Sequence, residues 1–165
     1  MRFAQIAWVI VLFSTEVAAF EPAHLTQLTN THECFNCDLS GADLSGAALQ
    51  GADLKLANLN GAQLENSNLK QSTLAEAELT GANLSGANLE GANLWYGKLQ
   101  AANFSNAKVS EANLFAADLR GANLRFAHLK GANLLNANLQ FVDLTLAQLE
   151  MAELLLADLT GATLK

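Results

Sequence analysis

The chain has 165 residues, which is enough for one domain or for a signal peptide followed by one domain. It is 51% hydrophobic but only 7% aromatic and 15% charged, and it contains a single proline. After the N-terminus no apolar run is long enough to cross a bilayer, which excludes a polytopic membrane protein. The formal net charge is −7 and no block of like charges occurs, so a basic groove for nucleic acid is not expected.

The N-terminal segment has the features of a secretory signal peptide. Arg2 precedes an apolar stretch at residues 3–13, and small residues stand at Val17 and Ala19. An uncleaved anchor or a buried helix is the alternative, but the apolar run is too short to span a bilayer comfortably. We therefore predict a signal peptide over residues 1–19, cleavage after Ala19, and a mature chain that is exported and not stably inserted in a membrane.

The rest of the sequence is a repeat with a period of five residues. From Cys37 to Lys165 the pattern Ala-(Asp/Asn)-Leu-x-x recurs in one register over 26 repeats. The repeat centre, starting at Leu39, is Leu in 24 repeats, with Phe104 and Val109 as the exceptions, and Ala stands two residues earlier in 21 of them. Every departure from Ala at that earlier position is also a small residue: Cys37, Ser67, Ser72, Gly97 and Val142.

A period of five fits neither regular secondary structure. On a helix the leucines would spiral around every side, and on a strand they would alternate between faces. A coil that turns one corner per repeat satisfies the pattern, since four repeats make a square of 20 residues with every repeat centre pointing to the axis. The pattern therefore predicts a solenoid with a leucine core, in which the other three positions of each repeat face water.

The stretch LSGADLSGA at residues 39–47 resembles the consensus of the pentapeptide-repeat family, and the resemblance extends over residues 37–165. It implies an all-β solenoid, a right-handed quadrilateral β-helix of about 6.5 coils. The sequence is similar to pentapeptide-repeat proteins of the periplasm and of the thylakoid lumen. Other members of the family are acidic rods that bind DNA gyrase.

Residues 20–36 are predicted to cover the first coil. A short helix over residues 21–30 would place Leu25 and Leu28 on one face, with Pro22 in its first turn. Cys34 and Cys37 follow, and they could form a structural disulfide, a redox-active pair, or a metal site with His32. Exported relatives with a similar Cys-x-x-Cys segment favour the disulfide. At the other end the last repeat is uncovered, which favours a homodimer through the C-terminal coil.

Two sets of apolar residues fall at positions that the repeat points outward. The apolar column follows one face from coil to coil and consists of Trp95, Tyr96, Phe115, Leu135, Leu155 and Leu156. The C-terminal belt goes once around the last coil and consists of Phe141, Leu146, Met151 and Leu156. Stacking between coils, which would stabilise the rod only, is one explanation; a surface for an unknown protein partner or for self-association is the other.

No catalytic motif accompanies the repeat. The three histidines are isolated, the carboxylates are dispersed, and a filled solenoid offers no deep pocket. We expect a non-enzymatic scaffold without cofactor, metal or nucleic-acid partner, exported to the periplasm or thylakoid lumen. The alternative is an acidic DNA mimic that binds gyrase, which the export signal and the dilute charge disfavour.

Overall fold

The computed structural model describes residues 21–164, and the predicted signal peptide lies outside the described residues. Those residues begin with helix α1, Pro22–Thr31, which starts at the proline and ends at His32 in a left-handed conformation. Leu28 of α1 is fully buried and Leu25 packs against the same core. The predicted helix is thus confirmed, shifted by one residue, and it lies over the beginning of the solenoid.

After α1 the chain winds into a square coil of 20 residues per turn. Each side contributes one residue to a parallel β-bridge with the residue 20 positions later, from Glu33–Asp53 to Asp143–Thr163. Pairing is through these single residues; within 21–164 the structure has no longer strand. Each bridge is held by backbone hydrogen bonds, as where Leu39 N–H donates to Asn58 O (2.8 Å) and Asn58 N–H donates to Cys37 O (2.8 Å).

The repeat centres fill the axis as the sequence predicts. From Leu39 to Leu144 every centre is buried, Phe104 and Val109 included. Cys34 is a further centre, because Cys34 N–H donates to Asp53 O (2.7 Å) and Glu33 is bridged to Asp53. The coil therefore starts one side earlier than the recognised repeat, where Cys replaces Leu and His32 replaces the preceding Ala.

The prediction that all 24 leucine centres are buried is wrong for the last coil. Leu149, Leu154 and Leu159 are half-buried and Leu164 is exposed. In earlier coils each repeat centre is covered by the next coil, whereas no described residue covers the centres of the last coil. The core is consequently open at its C-terminal end within the described part of the chain.

Each corner of the square is made by the second residue after a repeat centre, which takes a positive φ. Glycine fills ten of these corners, Gly51 (φ 69°) among them, because it adopts this conformation without a steric penalty. Gly97 differs, since it occupies the inward position before a centre, and a Cβ there would lie 2.9 Å from Leu94 O. The other corners carry Asn, several polar residues and, toward the C-terminus, large apolar residues.

Candidate protein-binding surface

The described residues offer no obvious place for chemistry. No pocket opens among residues 21–164, and no group of three or more His, Cys, Asp or Glu side chains there could hold a metal ion. The single helix in that part of the chain, α1, is too short to cross a membrane. The outer faces of the coil are the remaining candidates for a functional surface.

The apolar column lies on one face, as its spacing of 20 residues predicts, but its members differ in exposure. Trp95, Phe115 and Leu135 are half-buried against their neighbours along the face. Tyr96 packs edge-on to Trp95 and to Phe115, with ring centroids 5.1 and 5.8 Å apart. Part of the column thus stacks between coils, as the structural explanation requires.

The remaining members of the column are open to solvent. Tyr96 is 51% exposed, and at the C-terminal end of the column Leu155 is 71% and Leu156 75% exposed. These residues are larger and more apolar than the polar residues and glycines that hold most of the equivalent positions on the other three faces. The column consequently has an accessible aromatic edge and an accessible leucine pair, joined by the half-buried Phe115 and Leu135.

The C-terminal belt surrounds the last full coil at its four corners. Phe141 is 69%, Leu146 60% and Met151 81% exposed, and Leu156 belongs to both the belt and the column. The two apolar surfaces therefore meet at one corner of the rod.

Two exposed phenylalanines extend these surfaces beyond the residues that the sequence assigns to the column and the belt, although the repeat also points Phe126 outward. Phe126 lies at the corner one coil before Leu146, with the Arg125 guanidinium 5.4 Å from its ring centroid. Phe35 lies in the same column as Trp95, three coils earlier. Counting the columns back in steps of 20 finds both positions, but Lys55 and Ala75 interrupt the column before Phe35.

Polar side chains form ladders parallel to the axis. On one of the other faces Asn123 donates to Asn103 (3.0 Å), which donates to Asn83 (3.1 Å), and on the face of the apolar column a second ladder joins Asn133, Asn113 and Asn93. Ion pairs are few and exposed, as between Lys70 and Glu90 (2.9 Å) and between Lys98 and Glu78 (2.7 Å). Such pairs contribute little to stability and point to no site.

The Sγ atoms of Cys34 and Cys37 lie 2.11 Å apart, at disulfide distance. Both residues are buried, Cys34 as a repeat centre and Cys37 at the small position before Leu39. Within the described residues, His32 belongs to no group of three or more His, Cys, Asp or Glu side chains that could hold a metal ion. The pair thus lies at the junction of α1 and the first coil.

A square coil with a leucine core, single-residue parallel bridges and a turn every five residues defines a quadrilateral β-helix. A family model for pentapeptide repeats (8 copies) matches residues 37–74, 57–95, 98–134 and 117–151. The chain belongs to the pentapeptide-repeat family, which confirms the resemblance seen in the sequence.

Solved structures agree with this assignment. HetL, a pentapeptide repeat protein involved in heterocyst differentiation regulation from the cyanobacterium Nostoc sp. strain PCC 7120, is 34% identical, with a TM-score of 0.65. That match covers 79% of this chain and 69% of HetL. QnrB1, a plasmid-mediated fluoroquinolone resistance protein, is 22% identical over 81% of this chain and 80% of its own, with a TM-score of 0.50.

A pentapeptide repeat protein from the thylakoid lumen of Arabidopsis thaliana is also similar. It is 32% identical over 70% of this chain and 71% of its own, with a TM-score of 0.31. A search of proteins with curated functions found no match. The comparisons therefore establish the family and the fold.

Proposed function

We propose that this protein is an exported, non-catalytic scaffold that binds a protein partner through the apolar column. The observation that carries the proposal is the exposure of Tyr96, Leu155 and Leu156 at positions where the other three faces mostly carry small or polar residues. Large apolar side chains that contribute nothing to the core are characteristic of interaction surfaces. Aromatic residues are also enriched in such interfaces, and the Tyr96 edge offers a ring together with a hydroxyl group.

The proposed site of action is an exported compartment, the periplasm or the thylakoid lumen. Residues 1–19 have the charge, apolar length and small residues of a signal peptide. An oxidising compartment would keep Cys34 and Cys37 joined as a structural disulfide. With both cysteines in the first coil, the disulfide would hold the chain where α1 passes into the solenoid.

The partner-binding proposal is tested by substituting only the exposed members of the column. Tyr96→Asn and Leu156→Asn suit the left-handed corner conformation, in which Asn is tolerated, and Leu155→Ser removes the remaining exposed side chain. The variant is expected to keep its thermal unfolding midpoint within a few degrees of wild type, while capture of its partner from the exported compartment falls at least ~10-fold, or about 1.4 kcal/mol of binding.

A matched control replaces Asn66 and Asn106 with Gly and Ser105 with Ala, since these residues hold two corners and one position after a centre on another face of the rod. This control should retain capture of the same protein. The proposal is wrong if the column variant and the control capture the same proteins in equal amounts while both are folded.

The charge distribution is a reason for not proposing a DNA mimic. Residues 33–97 carry eight acidic and two basic residues, whereas residues 98–130 carry five basic and two acidic residues. A rod that imitates DNA needs negative potential along its length, and the basic segment interrupts it. The likeness to QnrB1 at 22% identity concerns the fold alone.

A further inference from the structure

Two lysines, Lys108 and Lys130, carry a positive charge that the fold does not use. Within residues 21–164 neither of them has a carboxylate at ion-pair distance, and both are exposed. Every other Lys or Arg side chain of that part of the chain is in an ion pair. Those pairs are Lys55–Glu76, Lys70–Glu90, Lys98–Glu78, Arg120–Asp118 and Arg125–Asp143. The two remaining charges are therefore available to a group from outside the rod.

The two lysines lie close together on one side of the square. Lys108 forms a parallel bridge with His128 of the next coil. Ser110 follows Lys108, and Lys130 follows His128, each after one fully buried repeat centre. Residues on either side of a buried centre point outward together, so the four side chains form one surface over two coils. We call Lys108, Ser110, His128 and Lys130 the basic patch.

The basic patch lacks the compensation of charge that other basic residues have. Lys108 and His128 are the only two basic residues that a bridge joins within residues 21–164. Lys98, by contrast, is bridged to Glu78 on one side and to Asp118 on the other. Cationic side chains directly opposite each other repel, and an anionic group bound between them would relieve this repulsion. Such a group would find two ammonium groups, an imidazole N–H and a hydroxyl group as hydrogen-bond donors.

Carboxylates around the basic patch limit the kind of anion that it suits. Glu90 and Glu150 lie in the same row as Lys130, one coil before and one coil after the patch. Glu111 occupies the adjoining corner, and its Oε1 atom would lie 2.5 Å from a Cβ added at Gly131. These groups would repel a flat anionic membrane or a nucleic acid laid along this side of the rod. A short acidic peptide segment can reach the patch between them.

The basic patch adjoins the apolar column. The side of the square that carries Lys108 is followed, after one corner, by the side that carries Phe115. Lys130 and Leu135 are related in the same way in the next coil. The patch therefore lies level with the half-buried middle of the column and one corner away from it. A partner that contacts both exposed ends of the column passes beside the patch.

We propose that the basic patch binds an acidic segment, rich in Asp or Glu, of the same protein partner that contacts the apolar column. The proposal rests on the proposed function and adds the chemistry of the partner's segment. Carboxylates of that segment accept hydrogen bonds from the ammonium groups of Lys108 and Lys130 and from the imidazole of His128. Charge complementarity of this kind selects among partners and speeds association more than it adds affinity.

The test measures the binding of a fluorescently labelled oligoglutamate peptide to the purified exported protein by fluorescence anisotropy. The wild type is expected to bind at low ionic strength and to lose affinity as salt is added. Lys108→Gln with Lys130→Gln should raise the dissociation constant at least ~10-fold, or about 1.4 kcal/mol. The control, Lys55→Gln with Lys98→Gln, removes the same net charge from two lysines that are already paired, so it should bind the peptide much as the wild type does.

Glu111→Gln adds a change that a damaged fold cannot imitate. Its carboxylate lies at the corner beside the basic patch and repels an acidic peptide, so its removal should tighten binding at least ~2-fold. The corner accepts glutamine, because Gln71 holds the same corner two coils earlier with a φ of 56°, against 58° for Glu111. Thermal unfolding midpoints within a few degrees of wild type would show that all these exposed substitutions leave the fold intact.

The proposal is overturned if the wild type does not bind the peptide at low salt, if the two double variants lose affinity equally, or if Glu111→Gln binds no more tightly. It is also overturned if vesicles that contain phosphatidylglycerol bind to the protein and the peptide does not. The variant with Tyr96, Leu155 and Leu156 replaced separates the two proposals, because it should bind the peptide as the wild type does. If that variant still captures the partner, the proposed function fails. If capture depends on the column and the peptide is not bound, only the acidic segment is ruled out.

Discussion

The preference of this repeat for Asp or Asn before each centre arises from the turn that follows. The side-chain oxygen accepts a hydrogen bond from the backbone N–H two residues later, as Asp38 does from Ser40 (3.0 Å) and Asn103 does from Ser105 (3.2 Å). This contact is an Asx turn, and it satisfies the N–H of the residue directly before the corner. The residue thus sets the direction of the chain at each corner, in addition to facing water.

Asn103 tests this explanation, because it combines the turn with the amide ladder. Asn103→Ala loses the bond from Ser105 and both ladder bonds, to Asn83 and from Asn123, and should lower the free energy of unfolding by about 1–3 kcal/mol. Asn103→Asp keeps the two accepting contacts and loses the donated one, so its cost should be intermediate. Urea unfolding measures both; an Ala variant as stable as wild type would contradict the explanation.

Carboxylates at these positions make stability depend on pH. The Arg120 guanidinium lowers the pKa of Asp118, and hydrogen bonds from Thr145 and Thr160 lower the pKa of Asp143 and Asp158. A carboxyl whose pKa is lower in the folded state stabilises the fold above its unfolded pKa, and this contribution is lost as the pH falls through the folded pKa.

We therefore expect the free energy of unfolding to fall as the pH drops from ~5 to ~2, the range in which such carboxylates become protonated. Asp118→Asn keeps an acceptor for Arg120 N–H and removes the titrating group, so its slope in this range should be smaller than that of wild type. Urea unfolding at a series of pH values gives the slopes. Equal slopes, or stability that increases toward acid, would be inconsistent with this role.

At the scale of one coil, the core adjusts its volume within a single turn. Phe104, the only aromatic repeat centre, is followed at the next centre by Val109, and Gly97 replaces the usual Ala of the same turn. Phe104 and Val109 are both fully buried, and a Cβ at Gly97 would meet Leu94 O at 2.9 Å and Leu99 Cγ at 3.6 Å. A large repeat centre is thus followed by a smaller one in the same turn of the coil.

The balance predicts coupling between the two centres. Val109→Leu alone should overpack the coil and cost ~1–3 kcal/mol, and Phe104→Leu alone should leave a cavity. In the double variant the added methylene fills part of the space that the ring vacates, so its cost should be less than the sum of the two. Urea unfolding of the three variants measures the coupling; strictly additive costs would show that the two side chains do not share space.

The sequence predicts this architecture well because one register of five residues can be buried in only one way. The burial of Leu39 to Leu144 and the square coil follow from that register, and its spacing places Trp95 and Phe115 on one face. The helix α1 follows separately from Pro22, Leu25 and Leu28. The left-handed conformation of the corners is not evident from the hydrophobicity pattern. Gly and Asn at those positions are equally expected of any residue that is exposed to solvent.

Other features depend on contacts that a one-dimensional pattern does not contain. Cys34 is not identifiable as a repeat centre from the sequence, because neither it nor His32 matches the repeat. The burial of Trp95 depends on its packing against Tyr96, and the exposure of Leu164 depends on what lies above the last coil. Local sequence patterns therefore predict which residues form the core of a solenoid. Its ends and its outer contacts are known only from the three-dimensional structure.

At the scale of the whole molecule, a filled rod can act only through its outside. Residues 21–164 contain no pocket, and the apolar side chains that the core does not use lie along one face and around one end. Nearest-neighbour stacking of coils makes such a rod a rigid support on which side chains 20 residues apart keep fixed positions. We infer that the function depends on the surface residues that depart from the repeat.

The most direct test of this account is site-specific photo-crosslinking of the full chain in the cells that produce it. A photoreactive phenylalanine analogue is placed at Tyr96, which is 51% exposed on the apolar column, and in a separate variant at Ser85, which lies on another face. The account predicts that Tyr96 gives a defined crosslink to a partner protein in the exported compartment and that Ser85 does not. The absence of a crosslink at Tyr96, or the same products from both positions, would contradict it.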